Sequence, residues 1–598
     1  MEGYKKIIKK LLFFNEPKKM ERFVLKETSS KENRTEDSAE NNAEKDKQYR
    51  ARRRKEPGGI RKIDRGTDES SKKEKEIQKE DENKRKDSEV SVYLSHNLTS
   101  MKRLYNIPMN GDVVIREFDI ILKDRAVGAF IIFFDGMTDR KVINNNILQP
   151  LMMLSSLEIK KAEEDIAEYI KKQILPHNQM KEFTSYRKIM DEVNFGGCAI
   201  FVDGIAKAFT GDVKGWEHRG VERPNTELVI RGPQEGFTET IRTNTALIRK
   251  RLKDEDLICQ NFEIGERSNT PCSMMYIKDI ANESLVEEVA KRLKSLKVDY
   301  LSDSGELEQF IEDSSFLPAP QIIATERPDR VATALTEGRV AVIMHGSPFV
   351  LIMPITAEDM VKSPEDNYVR FPYGNLFRLI RYFGIALSLL LPGLYIAITN
   401  YHQEMIPTDL LFSIEAAREM VPFPSVIEIL IMEIAFELIR EAGIRIPGPI
   451  GPTLGIIGAL ILGQAAVAAN IVSPVLIIIV AVTGIGSFAA PNFSLAFSFR
   501  ILRFAFIIIG AMAGFLGITT GLFIYGMWLV SAKSFGVPFL VPFGPKTANA
   551  FTDSILRAPI WKQERRPDYL NPKDDRRQAP ISRGWMDNGS KGEDEDEQ

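Results

Sequence analysis

The stretch between Arg445 and Arg500 contains no charged side chain, and this feature constrains the fold more than any other. A helix needs roughly 20 mainly apolar residues to cross a hydrocarbon core of ~30 Å, so the stretch has room for two membrane passes. Ser473-Pro474 is the predicted turn between them. Many residues from Gly455 to Ala469 are glycine or alanine, which predicts close helix packing inside a protein assembly.

The mean hydropathy of −0.17 and the formal net charge of −3 conceal two unlike halves. The first is rich in charged residues, whereas the second is mostly apolar, so we expect a soluble part followed by a membrane part. The shifts in composition predict five regions: a disordered charged arm (1–89), two cytosolic subdomains (90–225 and 226–370), a membrane domain (371–545) and a charged cytosolic tail (546–598).

Cysteine and histidine usage limits the chemistry of the soluble half. Cys198, Cys259 and Cys272 are too few and too far apart for a disulfide framework, which favours a cytoplasmic location. The five histidines lack metal-ligand spacing, so no metal site is expected. The basic cluster Arg52 to Lys55 could bind nucleic acid or anionic lipid, but nearby acids favour a solvated charge run. With no catalytic set and no phosphate-binding loop, we expect neither an enzyme nor a cofactor.

Alternating strand and helix signals begin near Val90 and predict an α/β region with mixed sheets. Two strands, Phe118 to Leu122 and Ala126 to Phe134, end at an Asp-Gly turn. The pattern of Ala199 to Gly204 repeats the end of the strand at Ala126 to Phe134 with its Asp-Gly turn. A further unit of two strands joined by a turn is predicted at Arg339 to Met353. We therefore expect two small subdomains.

A distinctive motif from Arg223 to Glu239 precedes a basic amphipathic helix over Ile241 to Leu252. Its alternating charges and its Gly and Pro residues favour a structured crossing between the subdomains, held by ion pairs. The alternative is an anion or ligand site built on Arg231 and Arg249. The motif residues concerned are Arg231, Gly232, Pro233, Glu235 and Gly236.

The first predicted span covers Leu376 to Thr399, with Arg378 and Arg381 at its start. Positive charge collects on the cytoplasmic side of membrane proteins, which predicts that the soluble half is cytosolic. The basic tail predicts a cytosolic C-terminus and hence an even number of spans, within a range of four to six. Arg500 and Arg503 complicate this count.

An acidic helix is predicted over Ser425 to Ala442, with its acids spaced four or five residues apart on one face. The cost of acids in hydrocarbon favours a position at the interface or in a vestibule, where the acids are solvated. The alternative is that they line an aqueous path through an assembly. The acids are Glu428, Glu433, Glu437 and Glu441.

Neutral polar residues punctuate the apolar part at Gln464, Asn470, Thr483 and Asn492, where they can either join helices or line a pore. The last predicted span, Ile501 to Val530, is longer than one crossing needs, so it must be tilted or broken. Its glycines recur three or four residues apart, which indicates close packing along one face.

The ordered motifs of this chain resemble those of the A subunit of GerA-type spore germination receptors, over about Val90 to Pro567. The motifs are Phe134-Asp135-Gly136, Arg223-Pro224 to Glu227, Val229 to Pro233, Gly236 to Glu239, the Asn244 to Arg251 helix, Pro422-Phe423-Pro424, Pro447 to Gly451, Gly463 to Val467 and Ser534 to Pro538.

The resemblance implies a receptor subunit in the inner membrane of the spore, surrounded by lipid. The implied partners are a transporter-like B subunit, a lipoprotein C subunit and further copies of the same chain. It also implies that nutrients trigger ion release, with the A subunit forming the conducting path. A carrier that works by alternating access and a docking scaffold are the alternatives. The pore or gating candidates are Gln464, Asn470, Thr483, Asn492, Glu428, Glu433 and Glu437.

Overall fold

The computed structural model describes Leu25 and residues 88–122, 125–153, 180–215, 223–224, 227, 229–445, 458, 461–547 and 553–579. The predicted disordered arm, 1–89, lies outside these residues apart from its last two positions and Leu25, which packs in the core of the second subdomain. Much of the predicted span after Pro447 also lies outside them.

The first subdomain is built on a five-stranded sheet in the order β1-β2-β4-β5-β3. Helix α1 precedes it, and α2 continues through a π-helical segment, 143–148, into α3. The bounds are α1 Leu94–Leu104, β1 Val113–Leu122, β2 Arg125–Phe134, α2 Arg140–Val142, α3 Gln149–Met153, β3 Met180–Phe183, α4 Tyr186–Asn194, β4 Cys198–Val202 and β5 Ala208–Gly211.

The second subdomain repeats this topology, with the strand order β6-β7-β9-β10-β8. Helix α5 links the two sheets, and two short helices lead out of the second. The bounds are α5 Ile241–Arg251, β6 Leu257–Ile264, β7 Thr270–Ile277, α6 Glu283–Ser295, α7 Ser304–Ile311, β8 Ile323–Thr325, α8 Pro328–Glu337, β9 Val340–Met344, β10 Val350–Met353, α9 Ala357–Val361 and α10 Glu365–Tyr368.

The predicted repeat is therefore a duplicated unit, in which β4-β5 of the first subdomain corresponds to β9-β10 of the second. The expectation of mixed sheets is wrong, because every strand pair of both sheets is antiparallel in the described residues. Strands that are neighbours in the sheet but not in the chain, such as β2 and β4, are separated in the described residues by helices and by a further strand, β3, and they run in opposite directions.

A helical region follows, which confirms the predicted fold class of an α/β N-terminal region followed by a helical domain. Two of its helices, α11 and α15, are long and apolar enough to cross a membrane, and α14 is a shorter apolar helix. The bounds are α11 Phe371–Tyr401, α12 Thr408–Arg418, α13 Ser425–Arg445, a helical segment at 461–468, α14 Pro474–Phe488 and α15 Phe493–Ser531.

Helix α15 is a hairpin rather than one straight rod. Ala513 and Gly514 leave helical geometry, and Gly514 has φ +55°, a conformation that suits glycine. After this break the chain folds back, because a Cβ at Gly517 would lie 2.4 Å from the carbonyl oxygen of Ile509. The two legs, 493–512 and 515–531, are about 30 and 26 Å long at 1.5 Å per residue.

Both ends of this hairpin contact the same loop of the second subdomain. The Ser498 hydroxyl donates to the carbonyl of Pro318, and the Ser534 hydroxyl donates to the carbonyl of Gln321 at 2.7 Å. At the turn, the Tyr401 hydroxyl at the far end of α11 donates to the carbonyl of Ala511 at 2.7 Å. Helix α11 and both legs therefore run between a proximal end beside the second subdomain and a distal end.

Helices α13 and α14 each run back from the distal end. Helix α13 starts beside the end of α11, where the Ser425 hydroxyl donates to Asn400 at 3.1 Å. Helix α14 begins directly after its N-cap residue Ser473, whose amide donates to Glu428 at 3.0 Å. It runs towards the proximal end, because a Cβ at Gly486 would lie 2.6 Å from the carbonyl oxygen of Gly384, in the proximal half of α11.

Residues 553–579, named here the C-terminal strap, pack against the second subdomain and the start of α11. The Asn375 amide donates to the carbonyl of Arg557 at 3.1 Å, and the Arg339 guanidinium donates to the Tyr569 hydroxyl at 3.1 Å. Further along, Arg566 donates to the carbonyl of Thr336 at 2.7 Å. The strap thus joins the soluble part to the helical domain.

Candidate functional site in the helical domain

The acidic face of α13 is turned into the helical domain. The Glu428 and Glu433 side chains are 0% and 1% exposed. The expectation that these acids are solvated is therefore wrong for the two residues. Each lies against an arginine from another helix. The positive charge of the arginine compensates the buried carboxylate for the loss of contact with water.

The most buried of these pairs joins Glu433 to Arg503 of α15 at 2.7 Å, with both side chains 1% exposed. Two further donors of Arg503 go to Ser388 of α11, whose carbonyl accepts from Nε at 2.7 Å and whose hydroxyl accepts from Nη2 at 2.8 Å. One arginine therefore holds α11, α13 and α15 together. Among the protein atoms described, the second carboxylate oxygen of Glu433, Oε1, has no hydrogen-bond partner.

One turn along α13, Glu437 forms a second and looser pair. Its carboxylate lies 2.9 Å from Arg440 and 3.9 Å from Arg500 of α15. Arg440 also donates to the Ser487 hydroxyl of α14 at 3.2 Å. Because Glu437 is only partly buried, this pair is the more exposed end of a ladder of charges between α13 and α15.

A third group surrounds Glu428 near the distal end. Its carboxylate accepts from the Ser473 amide at 3.0 Å and lies 3.5 Å from the Arg418 guanidinium of α12. The Tyr395 hydroxyl of α11 lies beside the Ser473 side chain. Two buried hydroxyls of this group, Ser473 Oγ and Tyr395, have no hydrogen-bond partner among the described protein atoms. Glu428 Oε1 accepts no hydrogen bond either and has only the Arg418 Nε at 3.5 Å.

The neutral polar residues fall into two sets. Thr483 and Asn492 are tied to their own chain segments, since the Thr483 hydroxyl donates to the carbonyl of Ile479 at 2.7 Å and Asn492 caps α15 by accepting from the Leu495 amide. Gln464 and Asn470 are exposed on the helical domain. Asn470 has φ +53°, so it occupies a turn that favours asparagine.

In the soluble part, Arg249 is buried in a bidentate pair with Asp112, at 2.5 and 2.7 Å. It also donates to Asn110 and to the carbonyl of Leu257, both at 3.0 Å, and its guanidinium lies 4.2 Å from the ring centroid of Phe134. With its charge occupied in this way, Arg249 does not form the anion site considered from the sequence. It joins the two subdomains instead.

The rest of the motif is structural in the same sense. Glu235 pairs with Lys250 at 2.5 Å and with Arg251 at 2.9 Å. Gly232 has φ +133°, and a Cβ there would lie 2.5 Å from the ring of Tyr368. The carbonyl of Pro233 accepts from Arg327 at 2.9 Å. Of the two other motif residues, Gly236 is buried and Arg231 is exposed. The predicted crossing held by ion pairs matches this arrangement.

A second cluster of charges lies where α9, the strap and the second subdomain meet. Asp359 lies 2.8 Å from Arg339, and Lys362 lies 3.4 Å from both Glu358 and Asp553. Burial alone would raise the pKa of the Asp359 carboxyl, but the Arg339 and Lys362 charges lower it to about 2. Burial raises the pKa of Glu358 to about 7, with Lys362 opposing the shift.

The cysteines and one acidic turn carry no recognisable chemistry. Burial raises the pKa of the Cys198 and Cys272 thiols to about 12, which leaves them protonated. Among the described residues, Asp254, Glu255 and Asp256 bring three carboxylates within 4.8 Å, but they are partly exposed and such groups are common without an ion.

The sequence did not identify the arginines that face the acidic helix. Arg500 and Arg503 were noted there only because they complicate the topology. The available signal was their position inside an otherwise apolar segment, since ionisable residues at membrane depth usually pair with one another.

This architecture defines a class of protein with two duplicated antiparallel α/β subdomains joined to a helical domain of membrane-spanning length. The chain belongs to the GerA family, because the family model of the Bacillus/Clostridium GerA spore germination protein matches residues 99–569. The resemblance seen in the sequence motifs is thereby confirmed.

The chain is similar to several proteins along most of its length. Spore germination protein KA of Bacillus subtilis is 40% identical over 83% of this chain and 90% of its own length. The uncharacterized membrane protein YfkQ of Bacillus subtilis is 39% identical over 85% of this chain and 95% of its own length. The crystal structure of the N-terminal domain of the A subunit of the Bacillus megaterium spore germinant receptor GerK3 is 32% identical, covers 44% of this chain and 96% of that chain, and has a TM-score of 0.34.

Proposed function

We propose that this chain is the A subunit of a nutrient germinant receptor in the inner membrane of the spore, and that several copies assemble into a nutrient-gated cation channel. Family membership supports the role in germination. Its partners are a transporter-like B subunit and a lipoprotein C subunit, as the resemblance implies. The role is that of a subunit and not of an enzyme.

The observation that carries the channel proposal is a row of carboxylates inside a domain of membrane-spanning helices. Ionisable groups at membrane depth usually mark ion pathways. Glu428, Glu433 and Glu437 follow one another along α13, which runs between the distal and proximal ends of that domain. The exposed side chain of Gln464 lies on the outside of one copy, where a neighbouring copy could meet it.

The proposed topology has six passes. Five are formed by α11, α13, α14 and the two legs of α15, and the sixth is the return of the chain from the end of α13 to the start of α14. Successive passes then alternate in direction. The soluble subdomains and the strap share the proximal side, which is the cytosol or spore core by the distribution of positive charge.

The experiment replaces Gln464 by Leu in spores and measures potassium release after nutrient exposure. If Gln464 lines the path, the release slows, while germination triggered by dodecylamine, which bypasses the receptor, is unchanged. The matched control is Thr519→Leu, because Thr519 is also exposed but its hydroxyl bonds within its own helix. Unchanged release in Gln464→Leu would remove this residue from the path.

Electrical recording of the purified assembly separates the channel from its alternatives. A channel shows unitary conductance in response to nutrient, whereas a carrier that works by alternating access shows none. A scaffold predicts that no substitution in the helical domain changes ion flux. Asn470 is less suitable for these tests, because replacing it strains its left-handed turn.

A further inference from the structure

Each of three glutamates on α13 lies against an arginine from another helix. Glu433 lies 2.7 Å from Arg503, and Glu437 lies 3.9 Å from Arg500. The third, Glu428, lies 3.5 Å from Arg418. In a domain built largely from apolar helices, these contacts place fixed positive charges directly on the acids.

Two of these acids keep an oxygen that accepts no hydrogen bond from the described part of the chain. Glu433 Oε1 is buried in this way, and Glu428 Oε1 is buried with only the Arg418 Nε facing it at 3.5 Å. The Tyr395 hydroxyl and Ser473 Oγ, which lie in the same group, also have no hydrogen-bond partner there. Carboxylate and hydroxyl oxygens are the ligands that hard cations prefer. The oxygens around Glu428 therefore form a ligand set in which Arg418 supplies the positive charge.

The arginines have the properties of tethered counter-ions. A guanidinium stays protonated in proteins, so it neutralises a carboxylate at any physiological pH. Arg503 is held by three groups, the Glu433 carboxylate and the carbonyl and hydroxyl of Ser388. Arg418 is held less firmly, with its side chain 28% exposed.

We propose that the Glu428 and Glu433 carboxylates are binding sites for a permeating monovalent cation, and that Arg418 and Arg503 occupy these sites in the closed channel. This inference rests on the channel function proposed above. Opening moves the arginines off the acids, and a potassium or sodium ion then takes the position of each guanidinium. Nutrient binding acts by shifting the balance between the two arrangements.

The spacing of the charges provides a route for this exchange. Along α13 the acids at 433 and 437 are four residues apart, and along α15 the arginines at 503 and 500 are three apart in the opposite order. A slide of α13 against α15 by one helical turn, about 5.4 Å, moves Arg503 from Glu433 to Glu437. Glu433 is then released while Arg503 keeps a partner.

The test compares Arg503→Gln, Glu433→Gln and the double variant in spores that carry the full-length chain with its partners. Potassium release is measured without nutrient and after nutrient, and immunoblots of the membrane fraction report protein level. Arg503→Gln leaves Glu433 free for a cation, so potassium leaks without nutrient. The leak exceeds that of the parent by roughly tenfold if the ratio of open to closed channels rises tenfold. The double variant lacks the acid as well and does not leak.

After nutrient exposure, Glu433→Gln and the double variant release potassium more slowly than the parent, because one cation site is missing. Arg381→Gln is the matched control, since Arg381 pairs with the buried Asp366 at 2.8 Å but lies at the proximal end of α11, away from the acids. This variant is expected not to leak.

Three results would overturn the inference: no leak from Arg503→Gln at the parental protein level, an equal leak from the double variant, or unchanged nutrient-triggered release in the double variant. If Arg503→Gln does not accumulate, Arg418→Gln is tested instead, because the Arg418 side chain is partly exposed and its replacement is better tolerated. Potassium leakage from spores with Arg418→Gln supports the inference, and the absence of leakage refutes it. If the parent assembly shows no unitary conductance, the channel function itself fails.

Discussion

The Arg378 guanidinium at the start of α11 lies 2.9 Å from the Asp553 carboxylate at the start of the C-terminal strap. Asp553 also lies 3.4 Å from Lys362, which follows α9 of the second subdomain. One carboxylate thus connects the second subdomain, the strap and the first long apolar helix, α11.

We expect Asp553→Asn to loosen this junction, because it leaves the buried charge of Arg378 with fewer partners. The expected loss is about 1–3 kcal/mol, less than for a fully buried pair, because Asp553 is about one-third exposed. Thermal unfolding of the detergent-purified chain and protease cleavage within the strap measure it. Glu283→Gln, which breaks a strap contact to Lys573 at an exposed site, should change stability by less than about 1 kcal/mol. Equal effects of the two variants would contradict the assignment.

The raised pKa of Glu358 predicts a pH dependence. Between the ordinary value of 4.5 and about 7, the folded chain holds a proton at Glu358 that the unfolded chain has lost. Stability from this group is therefore present at low pH and decreases as pH rises through that window, by up to about 3 kcal/mol. Glu358→Gln should reduce the decrease between pH 5 and pH 7.5, measured by thermal unfolding. An unaltered pH slope would show that Glu358 does not titrate there.

Asp359 has the opposite sign. Its pKa falls from 3.8 to about 2 on folding, so its contribution is present above pH 3.8 and is lost as pH falls towards 2. Asp359→Asn should therefore destabilise the chain at neutral pH and make the remaining stability less sensitive to acid below pH 4. The same unfolding measurement at pH 3 and pH 6 checks this expectation. If Asp359→Asn lost as much stability between pH 6 and pH 3 as the parent chain does, the expectation would be contradicted.

The pair between Arg249 and Asp112 should be the strongest single contact between the subdomains. Asp112→Asn leaves a buried guanidinium without its counter-charge, and the expected cost is about 3–5 kcal/mol. Lys250→Gln breaks the neighbouring pair with Glu235, which is more exposed, and should cost less than about 1 kcal/mol. Denaturant unfolding of the full chain compares them. A small effect of Asp112→Asn would mean that the subdomains are joined by other contacts.

The crossing of α11 and α15 depends on two glycines. A Cβ at Gly510 would lie 2.8 Å from the carbonyl oxygen of Gly393, so Gly510→Ala forces the helices apart. The expected cost is about 1–3 kcal/mol, together with altered potassium release. Gly526→Ala is the control in the same hairpin, because nothing lies within 4 Å of a Cβ there. Thermal unfolding in detergent that does not distinguish the two variants would argue against a close crossing.

Local sequence patterns predicted most of the secondary structure, since strand alternation and Asp-Gly turns depend on neighbouring residues. The strand unit at Arg339 to Met353 became β9 and β10, and the long last span is broken at Ala513 and Gly514, one of the two arrangements expected of it. The antiparallel pairing of β2 with β4 could not be predicted in this way, because it depends on the path of the chain between them.

The same limit explains the candidate sites. The acids of α13 looked costly in hydrocarbon because their partners are distant in sequence; Arg503 is 70 residues from Glu433. Arg249 was a candidate anion ligand because Asp112 is 137 residues away. A charge pattern reveals that a partner is needed, but only the fold reveals whether that partner is a ligand or another side chain.

Because of the break at Gly514, the two legs of α15 can act together as a lever. The proximal ends of both legs contact one loop of the second subdomain, at Pro318 and Gln321, while the turn between the legs is hydrogen-bonded to Tyr401 at the distal end. A tilt of that subdomain would consequently push one leg and pull the other. Since Arg503 lies on the first leg, such a tilt would become a sliding of Arg503 beside Glu433, without any change of fold in the helical domain.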